Sequence, residues 1–461
     1  MQESDRDVTP QKSILERALS VATDVRAGEG ASAMLLAVNG FLLLSAYYTI
    51  RPLRSALLLP VQIPFPGGGS LAGPEIQSYA GAILAALFLV IVPLYSSFAS
   101  KVNRIRLINS VTMFFIVTLI GFFFVGRLGM YPTVVAVVFF LWIGVFSLMI
   151  IAQFWSFAND LYSPEQGKRL FAIIGFGGSV GAIGGALLTT MFIGRLGTTS
   201  MMLLASAQLL LALGLTNLIH TREQRRPKAV VAKAEEQPLG TSGGFKLVLS
   251  QRYLLLIGLL TMIVNIVNTN GNYILNETLA RMARATIATG TSGQTEGQII
   301  GGFMAGVDFW QNVLSMAIQF FLVSRIFKYL GIGGALFVLP AIALGSYTLF
   351  AFAPILAFIR LTKIAENATD YSLQNTVRRA LFLPTSREAK YKALQAVETF
   401  FWRAGDMLSG VTTLVIVQWL ALSVRGFALV NIAIVAVWLL LAASLAKENR
   451  RLMTEAESVA A

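Results

Sequence analysis

Residues 332–377 read IGGALFVLPAIALGSYTLFAFAPILAFIRLTKIAENATDYSLQNTV. The first part, 332–353, is long enough to cross a bilayer, which takes about 20 residues, and it contains no Asp, Glu, Lys, Arg or His. The second part carries Arg360, Lys363, Glu366 and Asp370. A charge facing lipid costs several kcal/mol, so the second helix has to turn these groups toward a bundle interior or a wet cavity, whereas the first can face lipid. The same contrast runs along the whole chain, which divides into about twelve apolar stretches of about 20 residues or more. Stretches 3 (106–126), 6 (198–219), 9 (332–353) and 12 (424–445) are almost free of charge, apart from a basic residue at some edges. Stretch 1 holds Arg51 and Arg54, stretch 8 Asp308, stretch 10 the four residues above, and stretch 11 Glu398, Arg403 and Asp406. Every third helix is thus suited to lipid. This predicts an all-α membrane protein of twelve transmembrane helices in two six-helix bundles. Stretches 3, 6, 9 and 12 are expected at the periphery and 1, 4, 7, 8, 10 and 11 around a central polar cavity, with 2 and 5 contributing.

Composition points the same way. The chain is 56% hydrophobic and 13% charged, about half the charged share of a soluble protein. Without cysteine there are no disulfides and no thiolate metal sites. The single histidine, His220, begins a basic loop, which leaves little for histidine-based metal or triad chemistry. No GxxxxGK[ST] run is present, so nucleotide hydrolysis is not the expected energy source. No enzymatic activity and no cofactor are expected.

Loop charges set the expected orientation. Lys101, Arg104, Arg106, Lys168, Arg169, Arg325, Lys328, Arg378, Arg379, Arg387, Lys390 and Lys392 fall on one face, with six more basic residues in the loop after stretch 6. The opposite face has Arg127, Arg195, Arg281, Arg284 and Arg425, and its loop 59–76 has no Lys or Arg. Both termini are therefore expected in the cytoplasm of a bacterial inner membrane. The net charge of +13 is accounted for by this bias, with no nucleic-acid partner. The expected organisation is a cytoplasmic segment 1–30, a first bundle 31–219, a linker 220–250, a second bundle 251–446 and a tail 447–461. Residues 11–27 have the pattern of a short surface helix. The halves echo each other: YSPEQGKRLFAII (162–174) resembles LPTSREAKYKALQAV (383–397), and YYTIRPLRSALL (47–58) more weakly resembles GNYILNETLARMA (271–283). Parallel repeats with a midplane site between them describe a major-facilitator-like transporter.

Several polar stripes interrupt the apolar helices. Thr261, Asn265, Asn268, Asn272 and Asn276 recur at steps of 4, 3, 4 and 4 and share one face. Asp308, Gln311, Ser315 and Gln319 do so on stretch 8, Lys363, Glu366 and Asp370 on stretch 10, and Glu398, Trp402, Asp406 and Ser409 on stretch 11. Such stripes either bond helix to helix or line a solute path. Arg51 and Arg54 flank Pro52, and two guanidinium forks there suit a phosphate or carboxylate. The candidate substrate-binding set is Arg51, Arg54, Asn265, Asn268, Asn272, Gln311 and Trp402. The candidate gating or ion-coupling set is Asp308, Lys363, Glu366, Asp370, Glu398, Arg403 and Asp406. Gly177, Gly181 and Gly185 on one face of stretch 5 point to close helix packing.

YYTIRPLRSALL, FWSFANDLYSPEQGKRLFAIIGFGGSVG, MAGVDFWQN and SLQNTVRRALFLPTSREAKYKALQAVETFFWRAGDMLSG resemble the ATP/ADP (NTP/NDP) translocases of plastids and intracellular bacteria. They are closer still to a bacterial, major-facilitator-like branch of that family. The likeness runs from stretch 1 to stretch 11, and SREAKYK with RAGD is its most specific part. It implies nucleotide exchange through four charged helix residues. The helix-1 lysine of that pattern corresponds to Arg54, which keeps the charge. The helix-4 acid falls near Ile143 and the helix-7 acid on or near Asn268, so neither charge is kept. The helix-11 lysine falls on Asp406, which reverses the sign. The resulting expectation is a monomeric secondary transporter for an organic, anionic or phosphorylated solute, a nucleotide being one candidate. The alternatives are a lipid-handling flippase and a non-transporting membrane sensor or enzyme.

Overall fold

The computed structural model describes residues 12–20, 23–64, 69–99, 102–224, 244–290, 292–386 and 388–460. Helix α1 (Ile14–Leu19) precedes α2 (Gly30–Leu58), after which β1 (Gln62–Pro64) and β2 (Ser70–Ala72) form a small antiparallel ribbon. Then come α3 (Gly73–Ala99), α4 (Arg104–Arg127), α5 (Pro132–Leu161) and α6 (Pro164–Gln224). The second half holds α7 (Gly244–Ser250), α8 (Arg252–Ala288), α9 (Glu296–Ala317), α10 (Val323–Ala335), α11 (Val338–Phe352), α12 (Leu356–Thr369), α13 (Asn375–Ala380), α14 (Leu394–Ala396), α15 (Trp402–Thr413) and α16 (Val424–Ala460). Of five π-helical stretches in this half, 318–322, 370–374 and 397–401 join neighbouring helices end to end, 389–393 leads into α14, and 414–419 extends α15.

Nine helices among the described residues are long and apolar enough to cross a membrane. Three further crossings escape that criterion for physical reasons. Gly197, at φ 83°, breaks α6 into two arms, a conformation open to glycine and costly for other residues. Gly331 at φ 63° turns the chain in the same way ahead of α11. The run α12–α13 is too charged to count as apolar; four of its charged residues, Lys363, Glu366, Asp370 and Arg378, are buried. With the nine apolar helices, these segments are consistent with twelve crossings.

Two separate apolar cores show that these form two bundles. One runs from Leu36 to Ile219 and is built on α2, α4, α5 and both arms of α6. The other runs from Val248 to Ala446. Within the first bundle the glycine stripe does what its spacing implies. A Cβ on Gly177, Gly181 or Gly185 would fall on the backbone of Ala37, Phe41 or Ser45, so α6 lies directly against α2. Helix α4 leaves Met113, Phe114, Val117 and Phe124 exposed, and the second arm of α6 exposes Leu210, Leu211 and Leu218, as expected of stretches 3 and 6. Stretches 9 and 12 expose one face and bury the other: Tyr347 on α11 and Trp438 on α16 are fully buried.

Some boundaries differ from those read in the sequence. The helix expected over 11–27 is confined to α1, where the Glu16 carboxylate accepts the backbone N–H groups of Ser13 and Gly28 and folds the chain back; residues 11, 21 and 22 lie outside the described residues. Stretch 12 does not end near 445: α16 runs through most of the expected tail, to Ala460. Of the linker 220–250, α6 takes the start and α7 the end. Residues 225–243, with Arg225, Arg226, Lys228 and Lys233, lie outside the described residues, as do Lys101 and Arg387.

Candidate functional site

Between the two bundles lies a cavity of about 310 Å³. From the first bundle it is lined by Tyr47, Arg51, Arg54, Gln77, Ser78 and Phe140, among others. From the second come Asn265, Asn268, Thr269, Asn272, Asn276, Asp308, Gln311, Asn367, Tyr371, Trp402, Arg403 and Asp406. All seven residues of the substrate-binding set line it, together with Asp308, Arg403 and Asp406 of the gating set.

Helix periodicity explains how α2 and α8 serve the cavity. Arg51 and Arg54 are three residues apart and so share a face. The α8 amides share a face likewise, and four of the five members of that stripe reach the cavity. The fifth, Thr261, turns its hydroxyl back to the Ile257 carbonyl at 2.9 Å.

Charges in the cavity are paired, with one exception. Arg51 Nη1 lies 3.2 Å from Asp308 Oδ1, an ion pair that joins the first bundle to the second. Its guanidinium also sits 5.2 Å from the Tyr48 ring centroid. Arg403 Nη1 lies 3.1 Å from Asp406 Oδ2, and Asn265 Nδ2 donates to the other Asp406 oxygen at 2.8 Å. The Arg403 guanidinium stacks 4.3 Å from the ring centroid of Phe88 on α3, a second crossing between the bundles. Arg54 is the exception. It sits 5.6 Å from the Phe140 ring centroid, and among the described residues no carboxylate lies within ion-pair distance of it.

Lys363, Glu366, Asp370 and Glu398 do not line the cavity. Lys363 is fully buried in the second bundle, where its Nζ donates to Glu366 Oε2 and Asn268 Oδ1, both at 2.9 Å. Asp370 is buried beside it. Glu398 is exposed and borders a separate pocket of about 420 Å³ between α3 and stretch 11, where Arg403 also stands. Ser409 donates to Asn270 Oδ1 at 2.7 Å inside the bundle, and Gln319 is exposed.

The uncharged face of stretch 10 was not read from the sequence. Asn367 and Tyr371 line the cavity, one helical position round from the Glu366–Asp370 face. They are four residues apart, so a stripe was present, but the charges beside it are the stronger signal. Asn367 Nδ2 donates to Gln311 Oε1 at 2.9 Å. Arg378, expected among the loop charges, is instead buried on α13 and places its guanidinium 4.8 Å from the Trp402 ring centroid.

The bundles are tied at the end opposite the chain termini. Gln298 Nε2 donates to the carbonyls of Ile193 and Gly194 at 3.2 and 3.1 Å, and Gln418 Nε2 donates to Glu75 Oε2 at 2.5 Å. Leu59 packs among Leu279, Ala280, Ala283 and Ile300 at the same end.

No protein-family model and no curated protein matches this chain. The motif likeness to ATP/ADP translocases therefore stands on the residues quoted above alone. Solved transporter structures do match in fold. A bacterial homologue of the human lysosomal transporter Spinster, captured inward-facing and unoccupied, aligns at TM-score 0.58 with 12% identity, over 92% of this chain and 97% of its own. The POT family transporter PepTSo aligns at 0.62 with 11% identity, over 90% and 98%. A variant of the nucleoside transporter NupG aligns at 0.59 with 14% identity, over 91% and 99%. At such identities the likeness concerns the fold alone: this chain is all-α and shares the major-facilitator-like fold of these structures.

Proposed function

We propose that the chain is a secondary transporter for a small organic anion, working by alternating access in a bacterial inner membrane with both termini in the cytoplasm. Arg54 carries this reading. It is a guanidinium without a carboxylate partner among the described residues, facing a cavity between two bundles and ringed by amides that can orient a solute. The ion pair Arg51–Asp308 gives the second bundle a hold on the first that an incoming anion competes for. The ties at the end opposite the termini support an inward-facing arrangement, given the loop-charge orientation. The cavity is near the lower limit of ligand sites, about 300–1,000 Å³, which favours a compact solute.

Nucleotide exchange is the finer reading that the motif resemblance suggests. Asp406 weighs against it: a carboxylate at the cavity wall repels phosphate by several kcal/mol at short range. Its pairing with Arg403 softens that repulsion, so a singly phosphorylated solute suits the cavity better than a triphosphate. Thermal-shift screening of the purified protein against organic anions, phosphorylated metabolites and nucleotides tests this. A solute at about 100 times its Kd stabilises the fold by about 2.7 kcal/mol. Shifts with neutral or cationic solutes alone would contradict the proposal.

The second reading, a lipid-handling flippase, is favoured by the pocket between α3 and stretch 11, where Phe88, Leu89 and Val92 meet Lys392 and Arg403. Movement of a fluorescent anionic lipid across proteoliposomes, with no response to soluble anions, would favour it.

A further inference from the structure

Of the five candidate carboxylates in the second bundle, Glu398 is exposed and three others are paired. Asp308 is held by Arg51, Glu366 by Lys363 and Asp406 by Arg403. Asp370 is not. It is 3% exposed, and neither of its carboxylate oxygens has a hydrogen-bond partner among the described residues. It opens the π-helical stretch 370–374, a distortion that occurs often at functional positions. An ionised carboxylate in such a place is costly, and ionisable groups inside membrane bundles mark ion paths and proton relays.

The groups facing Asp370 can be named. On its own helix they are Lys363, Glu366 and Arg378. Lys363 is spent on Glu366 and Asn268, and Arg378 lies over Trp402. From α11, Tyr347 stands near Glu366, with its hydroxyl engaged by the Val267 carbonyl at 2.6 Å. From the stretch 397–401, Glu398 acts on Arg378. Beside Asp370 and Glu366 is a void of about 10 Å³, bordered by Asn268 of α8 and Trp438 of α16. That is the least space a single water needs, about 10–15 Å³, so a hydrated ion does not fit. No group of three or more metal-ligating side chains occurs among the described residues, and the flanking cations oppose a metal ion further.

We propose that Asp370 is a proton-binding site, distinct from the cavity and coupled to it. The proton comes from water, forms an O–H bond on one Asp370 oxygen, and returns to water when the carboxylate reforms. Two contacts link the site to the cavity. Asn268 faces the cavity and accepts from Lys363, and Trp402 faces the cavity beneath Arg378. An anion near Trp402 draws on the positive charge of Arg378, which leaves Asp370 less compensated and favours its protonation. Proton and anion then travel in the same direction. The proton site stands on the geometry of Asp370; its use in coupling rests on the transport reading.

Infrared spectroscopy of the full chain in lipid, titrated between pH 5 and 9, tests it without any substrate. A protonated-carboxyl C=O band that fades as pH rises is expected. D370N should remove its component that persists toward neutral pH, whereas D308N and D406N should retain it; E366Q, which releases Lys363 toward Asp370, should weaken it. D370E, which keeps the acid, should restore a band at a shifted frequency and guards against a folding defect in D370N. A band that persists unchanged in D370N would overturn the assignment, as would a wild-type protein with no protonated carboxyl anywhere in that range. Either result would leave the anion-binding proposal standing, because thermal-shift screening tests that separately.

Discussion

At the scale of single residues, the cavity divides its cations by partner. Arg54 has no carboxylate partner among the described residues, so Arg54→Ala should weaken binding of the anion found by thermal-shift screening by about 2–5 kcal/mol while leaving expression intact. Arg54→Lys should retain part of the affinity, since the charge survives and the planar fork does not. Unchanged affinity in the Ala variant would mean that Arg54 only packs against Phe140. Arg403 is different, because Asp406 restrains it at 3.1 Å. Asp406→Asn should free that guanidinium and remove a negative charge, tightening anion binding at least about tenfold, or 1.4 kcal/mol. Arg403→Ala should do the opposite and strand a partly buried carboxylate. Titration calorimetry separates the two, and equal effects of both variants would contradict this picture. Arg51, Arg54 and the α8 amides were legible in the sequence because polar residues are conspicuous in apolar helices and their spacing fixes the face. Their partners were not: helix spacing gives the face a residue occupies, but not which neighbouring helix it meets. Lys363, Glu366 and Asp370 were therefore recognised as one inward-facing stripe, without any sign of whether it meets the bundle interior or the cavity.

At the scale of elements, close approach and local breaks decide the packing. A Cβ on Gly181 would land on the Phe41 backbone, which cannot swing aside, whereas one on Gly178 would meet the Leu44 side chain at 3.8 Å, an ordinary contact. Gly181→Ala should therefore cost about 1–3 kcal/mol. Gly178→Ala should be neutral or stabilising by up to about 1 kcal/mol, since alanine favours helix. Thermal unfolding in detergent reads both, and equal losses would contradict direct α2–α6 contact. At the start of α2, Arg169 grips the Glu29 carboxylate with two hydrogen bonds of 2.9 and 2.8 Å. Burial pushes the Glu29 carboxyl up, but the Arg169 guanidinium, the Arg26 N–H and the Gln166 amide outweigh it and hold the group below its usual range. A lowered carboxyl pKa stabilises the fold above the unfolded value, about 4.3, and that contribution disappears as pH falls through the folded value. Glu29→Gln should thus lower Tm at neutral pH, with the difference from wild type vanishing in acid. A difference independent of pH would show that the ion pair adds nothing. The glycine stripe was readable from the sequence, as were the ends of stretch 3. The turns at Gly197 and Gly331 were bracketed by the spans on either side, but the π-helical stretches carry no periodic signature and were not read. The helical tail beyond 445 was missed because its charged residues look like loop when no packing partner is in view.

At the scale of the molecule, the spacing of charge along the chain anticipates the separation of the two cores. Helices without charge can face lipid; helices with charge must meet, and they meet between the bundles. The correspondence is clearest for stretches 3 and 6. It is partial for 9 and 12, whose inner faces supply Tyr347 and Trp438 to the neighbourhood of Asp370. The absence of cysteine makes the central claim directly measurable, because spin labels can be placed without a background. One label pair, on Arg195→Cys and Gln294→Cys, spans the bundles at the end tied by Gln298. The other, on Lys168→Cys and Arg325→Cys, spans them at the end of the chain termini. Double electron–electron resonance in lipid should give two distance populations for each pair. Addition of the anion found by thermal-shift screening should move the two pairs in opposite senses, one lengthening as the other shortens, and Arg54→Ala should abolish the response. Single, unchanging distances at both ends, with and without the anion, would contradict alternating access around this cavity.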